Sequence, residues 1–192
     1  IIYVQITRGV ADFRSHVYGN SDPTVLITVA PRSSATAKSE FSLVVKEDFR
    51  WGRGYIKTTS LAANTLVRNE AIAEGYDDAI LIRNGIVTEA SSSNVFIVKD
   101  GEIATPLANN YLLHGVTRSL VLDLSRREGI PVKERDIYLE ELSEADEVWI
   151  TATTIEIQPV HRINDQIVGN GKDGPLFRKI YRSFRELVCQ SV

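Results

Sequence analysis

A chain of 192 residues with 43% apolar, 24% charged and 8% aromatic residues can build one good core, or one complete domain with part of another. Its formal charge of −3 and the lack of any basic block exclude a nucleic-acid footprint and a basic membrane patch. No apolar run is long enough to span a bilayer and no signal peptide is visible; the single Cys189 cannot form an internal disulfide, so a cytoplasmic location is expected.

The chain holds no Met and opens directly in a β pattern, Ile1-Ile2-Tyr3-Val4-Gln5-Ile6-Thr7, so an N-terminal part of a longer protein is expected to precede it. Strands are expected over residues 1–8 and from Thr24 to Val29, joined by the turn-rich linker GVADFRSHVYGNSDP. The polar stretch from Pro31 to Lys38 reads as a domain boundary, dividing residues 1–33 from 34–192. A strand at Phe41–Val45 follows, then helical spacing from Leu61 to Glu74, with Thr59 or Ser60 as cap and Gly75 as stop. Ala79–Ile82 is a short strand turned back by Asn84-Gly85.

The next stretch, GIVTEASSSNVFIVKDG, has two halves. Asn94–Val98 reads as a buried strand ended by the turn Lys99-Asp100-Gly101. Before it, the carboxylate of Glu89 stands beside a serine-rich bend, Ala90-Ser91-Ser92-Ser93, whose small residues would let something flat and polar approach the backbone. Glu102–Thr105 continues the chain, followed by a helix over 117–128 that stops at Gly129, strands over 131–135 and 147–152, and a last helix over 175–189. Strands outnumber helices, and the class is α/β or α+β.

P-loop, GxGxxG, GxSxG, HExxH and CxxC motifs are all missing, and His16, His114 and His161 lack metal-ligand spacing. Four pieces remain. Lys57 follows Tyr55-Ile56 just before a helix, where partial desolvation and the helix's positive end would favour a reactive amine; a solvated lysine is the plainer alternative. Glu89 is the second. His114-Gly115-Val116-Thr117-Arg118 opens a helix with free N–H groups suited to phosphate, although most helix starts bind nothing. Thr151-Ala152-Thr153-Thr154 at a strand end could share that phosphate, or simply reflect β-propensity.

Together these segments, with TATTIEI running from Thr151 to Ile157, resemble the fold-type IV pyridoxal-phosphate enzymes. That class holds D-amino-acid aminotransferases, branched-chain aminotransferases and aminodeoxychorismate lyases. The resemblance runs essentially the length of the chain. It implies a two-domain α/β (α+β) fold, with a complete C-terminal pseudo-barrel in 34–192 and only the remaining strands of an N-terminal α/β domain in 1–33.

The implied cofactor is pyridoxal 5'-phosphate, with no metal. Lys57 would hold it as a Schiff base and move a proton between the substrate's Cα and the cofactor's C4′. Glu89 would pair with the pyridine nitrogen, Ser92 would add a hydrogen bond near the ring, and Gly115, Val116, Thr117 and Thr153 would bind the phosphate. Arg14-Ser15-His16 resembles the R-x-H loop of D-amino-acid aminotransferases, so that Arg14 and His16 would hold a substrate carboxylate across a homodimer. The implied activity moves an amino group between a D-amino acid, such as D-alanine, and 2-oxoglutarate or pyruvate. The alternatives are aminodeoxychorismate lyase, branched-chain aminotransferase, and an inactive fragment, because in the family a preceding segment supplies a phosphate-gripping arginine and a substrate-holding tyrosine.

Overall fold

The computed structural model describes residues 1–17, 19–31 and 37–190, in two compact units, Ile1–Ser34 and Ala35–Val192. The boundary expected between residues 33 and 34 lies outside the described residues. The first unit is an antiparallel ribbon of β1 (Ile2–Thr7) and β2 (Thr24–Val29), with Ile2 opposite Val29 and Thr7 opposite Thr24. A two-stranded ribbon has no second layer of its own, and most side chains of both strands are exposed within the unit.

The second unit begins with a parallel crossover: β3 (Ser42–Glu47), α1 (Ala62–Ala73) and β4 (Asp78–Arg83). Asn84 and Gly85, both at positive φ, turn β4 back into β5 (Ile86–Ala90), and Asp100 and Gly101 do the same between β6 (Asn94–Lys99) and β7 (Glu102–Thr105). Next come α2 (Val116–Arg127), β8 (Val132–Glu134), the short α3 (Glu141–Glu144), β9 (Glu147–Ala152), β10 (Glu156–Val160), the two-residue strands β11 (Arg162–Ile163) and β12 (Gln166–Ile167), and α4 (Pro175–Gln190). The strands form two five-stranded sheets, ordered β12-β11-β3-β4-β5 and β10-β9-β6-β7-β8.

Strand periodicity explains why these segments are apolar almost without interruption. Leu43, Ile80, Ile82, Val95, Ile97, Val148 and Ile150 share one cluster drawn from both sheets. The residues between them point the other way. Val44, Ala79 and Leu81 pack with Val67 and Ala71 of α1, while Phe96, Val98 and Trp149 pack with Val121 and Leu122 of α2 and Phe177 and Ile180 of α4. The unit is therefore layered as α1, sheet, sheet, then α2 with α4.

Both predicted glycine stops are present. At Gly75 and at Gly129 the chain turns left-handed, and the next amide donates back to a carbonyl of the last turn, Tyr76 to Ala71 and Ile130 to Ser125, each at 2.9 Å. The cap of α1 differs from expectation. Leu61, not Thr59 or Ser60, stands at the N-cap. The hydroxyl of Thr58 and the carbonyl of Thr59 instead accept the amides of Ser60 and Leu61, at 3.2 and 2.9 Å, closing a local turn before the helix starts.

A second difference bears on the site. Glu89 lies within β5 rather than beside a loop, because the β-branched run Ile86-Val87-Thr88 continues the hairpin; the bend is confined to residues 91–93 and carries the chain from one sheet to the other. Strands β10 to β12 were not expected either. Two are only two residues long, and β10 contains Pro159, tolerated because β10 is the edge of its sheet.

The start of α4 is capped from a neighbouring strand. The buried carboxylate of Glu147 on β9 accepts the amides of Leu176 at 2.9 Å and Phe177 at 2.8 Å, and the indole N–H of Trp149 at 3.0 Å. Glu147→Ala leaves these donors unpaired in the core and is expected to lower stability by about 3 kcal/mol or more. Urea denaturation checks this, and a loss below about 1 kcal/mol would show that the cap is dispensable.

Candidate functional site

Glu89 is only 6% exposed, so its charge has to be met from inside the protein. Its Oε1 accepts from Arg50 Nη1 at 2.5 Å. Its Oε2 accepts from the Leu113 amide at 3.0 Å and from Asn94 Nδ2 at 3.3 Å. These bonds use three of a carboxylate's roughly four acceptor directions, and the open one belongs to Oε1.

Arg50 is itself buried. Its Nε and Nη2 donate to the two oxygens of Asp48, each at 2.9 Å, and Nη2 also donates to the Tyr111 carbonyl at 3.0 Å. Asp48 accepts in addition from the Thr88 hydroxyl at 2.8 Å and lies 3.4 Å from Arg83, whose guanidinium sits over the Tyr111 ring. The two acids behave differently. Burial works against the charged form of Asp48, yet the hydrogen bonds and charge of Arg50 and the Thr88 hydroxyl hold its carboxyl below the usual range. Burial pushes the Glu89 carboxyl above the usual range, and neither the pull of Arg50 nor the Leu113 amide cancels it.

The same contacts gather the other candidates. Asn94 Nδ2 donates to the Leu113 carbonyl at 2.7 Å, and the Gly54 amide donates to the Asn110 carbonyl at 2.7 Å. The Tyr55 ring lies 6.5 Å from that of His114. The loop leading to Lys57 thus lies against the segment leading into α2. Lys57 is exposed and makes no hydrogen bond or ion pair with the described residues. The expected partial desolvation is not found, because Lys57 sits in an open loop between Ile56, itself exposed, and the turn before α1.

At α2, Gly115 is an extended N-cap without a side-chain cap, and the first helical amide, Ser119, donates to its carbonyl at 3.0 Å. The amides of Val116, Thr117 and Arg118 therefore lack an intrahelical acceptor. Val116 is exposed and Thr117 is at the edge of burial. A Cβ on Gly115 would stand 2.2 Å from Asn94 Oδ1, so the close approach of Asn94 requires glycine there.

Thr151 is opposite Asn94 in the β6–β9 ladder, and its hydroxyl is buried without a partner. Thr153 is exposed in the turn that follows. Ser92 is also exposed, and its hydroxyl accepts from Arg68 of α1 at 3.3 Å. Arg14 and His16 belong to the first unit, both exposed. Sequence reasoning missed Asp48, Arg50 and Asn94. The spacing Asp48-x-Arg50 directly after a strand, and an asparagine five residues beyond Glu89, were the available signals.

Residues 1–163 match the family described as amino-transferase class IV. A D-alanine aminotransferase of Listeria innocua is 40% identical over 99% of this chain and 68% of that protein. Among solved structures, the branched-chain amino acid aminotransferase of Escherichia coli gives a TM-score of 0.84 at 30% identity, over 97% of this chain and 64% of that one. A thermophile's branched-chain amino acid aminotransferase, complexed with N-(5'-phosphopyridoxyl)-L-glutamate, gives 0.79 at 27% identity, over 87% of this chain and 57% of that one. The chain therefore spans about two thirds of that curated relative and less of the solved chains.

The clash predicted at Gly115 can be tested by a mutant cycle. Gly115→Ala is expected to cost about 1–3 kcal/mol in urea denaturation, by displacing the Asn94 amide. In an Asn94→Ala background the nearest remaining neighbour is Arg118 Cβ at 3.6 Å, so the same substitution should cost much less. Equal costs in both backgrounds would rule out Asn94 as the constraint.

Proposed function

The chain belongs to the amino-transferase class IV family, and on that premise we propose that it carries the cofactor-binding part of a pyridoxal-phosphate-dependent transaminase acting on D-amino acids, D-alanine foremost, with 2-oxoglutarate or pyruvate as acceptor. The observation that carries the reading is the buried Glu89 carboxylate with one open acceptor direction, tied through Asn94 and Leu113 to the uncapped start of α2. The 40% identity to the L. innocua D-alanine aminotransferase supports the substrate class, and the phosphopyridoxyl-glutamate held by the branched-chain relative supports the cofactor.

The residues present fit that cofactor. A planar ring nitrogen suits the open direction on Glu89, free amides and a hydroxyl at a helix start suit a phosphate, and Gly115 keeps the approach unobstructed. In this reading Glu89 holds the ring nitrogen protonated. Gly115, Val116, Thr117 and Thr153 bind the phosphate, and Ser92 lies near the ring. When bound, the cofactor supplies an electron sink for charge developing at the substrate's Cα. Lys57 anchors it covalently and then, as a freed amine, carries a proton to and from that carbon. Arg14 and His16 hold the substrate carboxylate across a homodimer.

A second reading, a branched-chain aminotransferase, is favoured by the likeness to the E. coli structure. We place the protein in the cytoplasm; among the described residues no helix is long and apolar enough to cross a membrane.

Borohydride reduction followed by peptide mass mapping should find the cofactor on Lys57 and lose it in Lys57→Ala. With D-alanine and 2-oxoglutarate, Arg14→Ala should mainly raise KM and leave kcat little changed, since carboxylate binding is shared by ground and transition states. Turnover of L-leucine in preference to D-alanine, with Arg14→Ala silent, would move the assignment to the branched-chain class.

A further inference from the structure

We propose that Arg50 is a positioning residue for this site: clamped by Asp48, it holds Glu89 by one oxygen and leaves that oxygen a single acceptor direction for the ring nitrogen. The inference rests on the pyridoxal-phosphate reading above. Arg50 is 8% exposed, and its planar fork is fixed on several sides. Asp48 takes Nε and Nη2, the Tyr111 carbonyl takes Nη2 again, and Glu89 takes Nη1. Its backbone is pinned as well, since its amide donates to Asp48 Oδ1 at 3.1 Å and its carbonyl accepts from Arg83 Nη2 at 2.6 Å. A guanidinium held this way cannot follow Glu89, so Glu89 is oriented by the Asp48 frame. A lysine amine could supply the charge but not the fork.

The charges give this arrangement a signature. Arg50 faces Glu89 directly, Asp48 stands behind Arg50, and Arg83 lies beyond Asp48; Asn94 and the Leu113 amide, both neutral, face the other oxygen. Arg50 favours ionised Glu89 and Asp48 opposes it. Removing one or the other should therefore move Glu89 in opposite directions, whereas general damage to the packing would move it the same way in both variants.

The test is the titration of Glu89 in the full chain without cofactor, followed by carboxyl-edited infrared or carbon NMR and assigned with Glu89→Gln. Asp48→Asn is expected to lower the Glu89 midpoint. Arg50→Gln should raise it, and Arg50→Lys should bring it back toward the parent value. Shifts of one sign in Asp48→Asn and Arg50→Gln, or no shift in either, overturn the proposal. If Arg50→Gln fails to fold, Asp48→Asn and Arg50→Lys decide: the first must lower the midpoint, and the second must hold it near the parent. Pyridoxal phosphate binding is measured in parallel by fluorescence quenching. Arg50→Gln should weaken it by about tenfold or more, the scale on which a partner behind a ligand acts, and unchanged affinity would also overturn the proposal. No uptake by the unsubstituted chain removes the cofactor reading, while the titration still decides whether Arg50 governs Glu89.

Discussion

A carboxylate withdrawn from water must be paired by the protein, and at Glu89 that requirement ties the chain together. Its partners come from three places: Arg50 beyond the end of β3, Asn94 at the start of β6, and the backbone of Leu113 shortly before α2. Glu89 is on the edge strand of one sheet and Asn94 begins a strand of the other, so the bond between them spans the two sheets. Moving any of these segments away would leave charge or hydrogen-bonding groups buried without partners. The loop before Lys57 and the start of α2 take their places around this one residue.

The cation at the centre is shared unequally. Asp48 receives two of its donors, with Thr88 and Arg83 in support, whereas Glu89 receives one. Two acids on one guanidinium are thereby driven apart: Asp48 is firmly ionised, and Glu89 is the one whose charge depends on small changes nearby. Environments that separate paired carboxylates in this way are the usual means of giving such groups different chemical duties.

Much of the frame was legible from the residues. Asn84-Gly85 and Asp100-Gly101 announce their turns through the left-handed backbone each needs, and Gly75 and Gly129 announce helix ends for the same reason. The order of Lys57, Glu89, Gly115 and the Thr151 stretch carried the family resemblance. What stayed hidden depended on contacts between distant segments. The run Lys46-Glu47-Asp48-Phe49-Arg50 looks like a solvated turn, because nothing local says that Asp48 and Arg50 are buried and paired. Glu89 was assigned to the margin of a loop because serines follow it; its place in β5 is set by pairing with β4, which is tertiary. Pro159 argued against a strand until the sheet order put β10 at an edge.

The sheet order also bears on how the chain is made. The strand that flanks β3 on one side is β4, its near neighbour in sequence, but on the other side it is β11, with Arg162 opposite Ser42. The neighbouring bond between the Phe41 amide and His161 spans 120 residues. During synthesis at about 5–20 residues per second, β3 leaves the ribosome roughly 6 to 24 s before the strand that will cover it. Through that interval a parallel edge with apolar side chains on both faces stands open, a template for capture by a chaperone or by the same edge of another nascent chain.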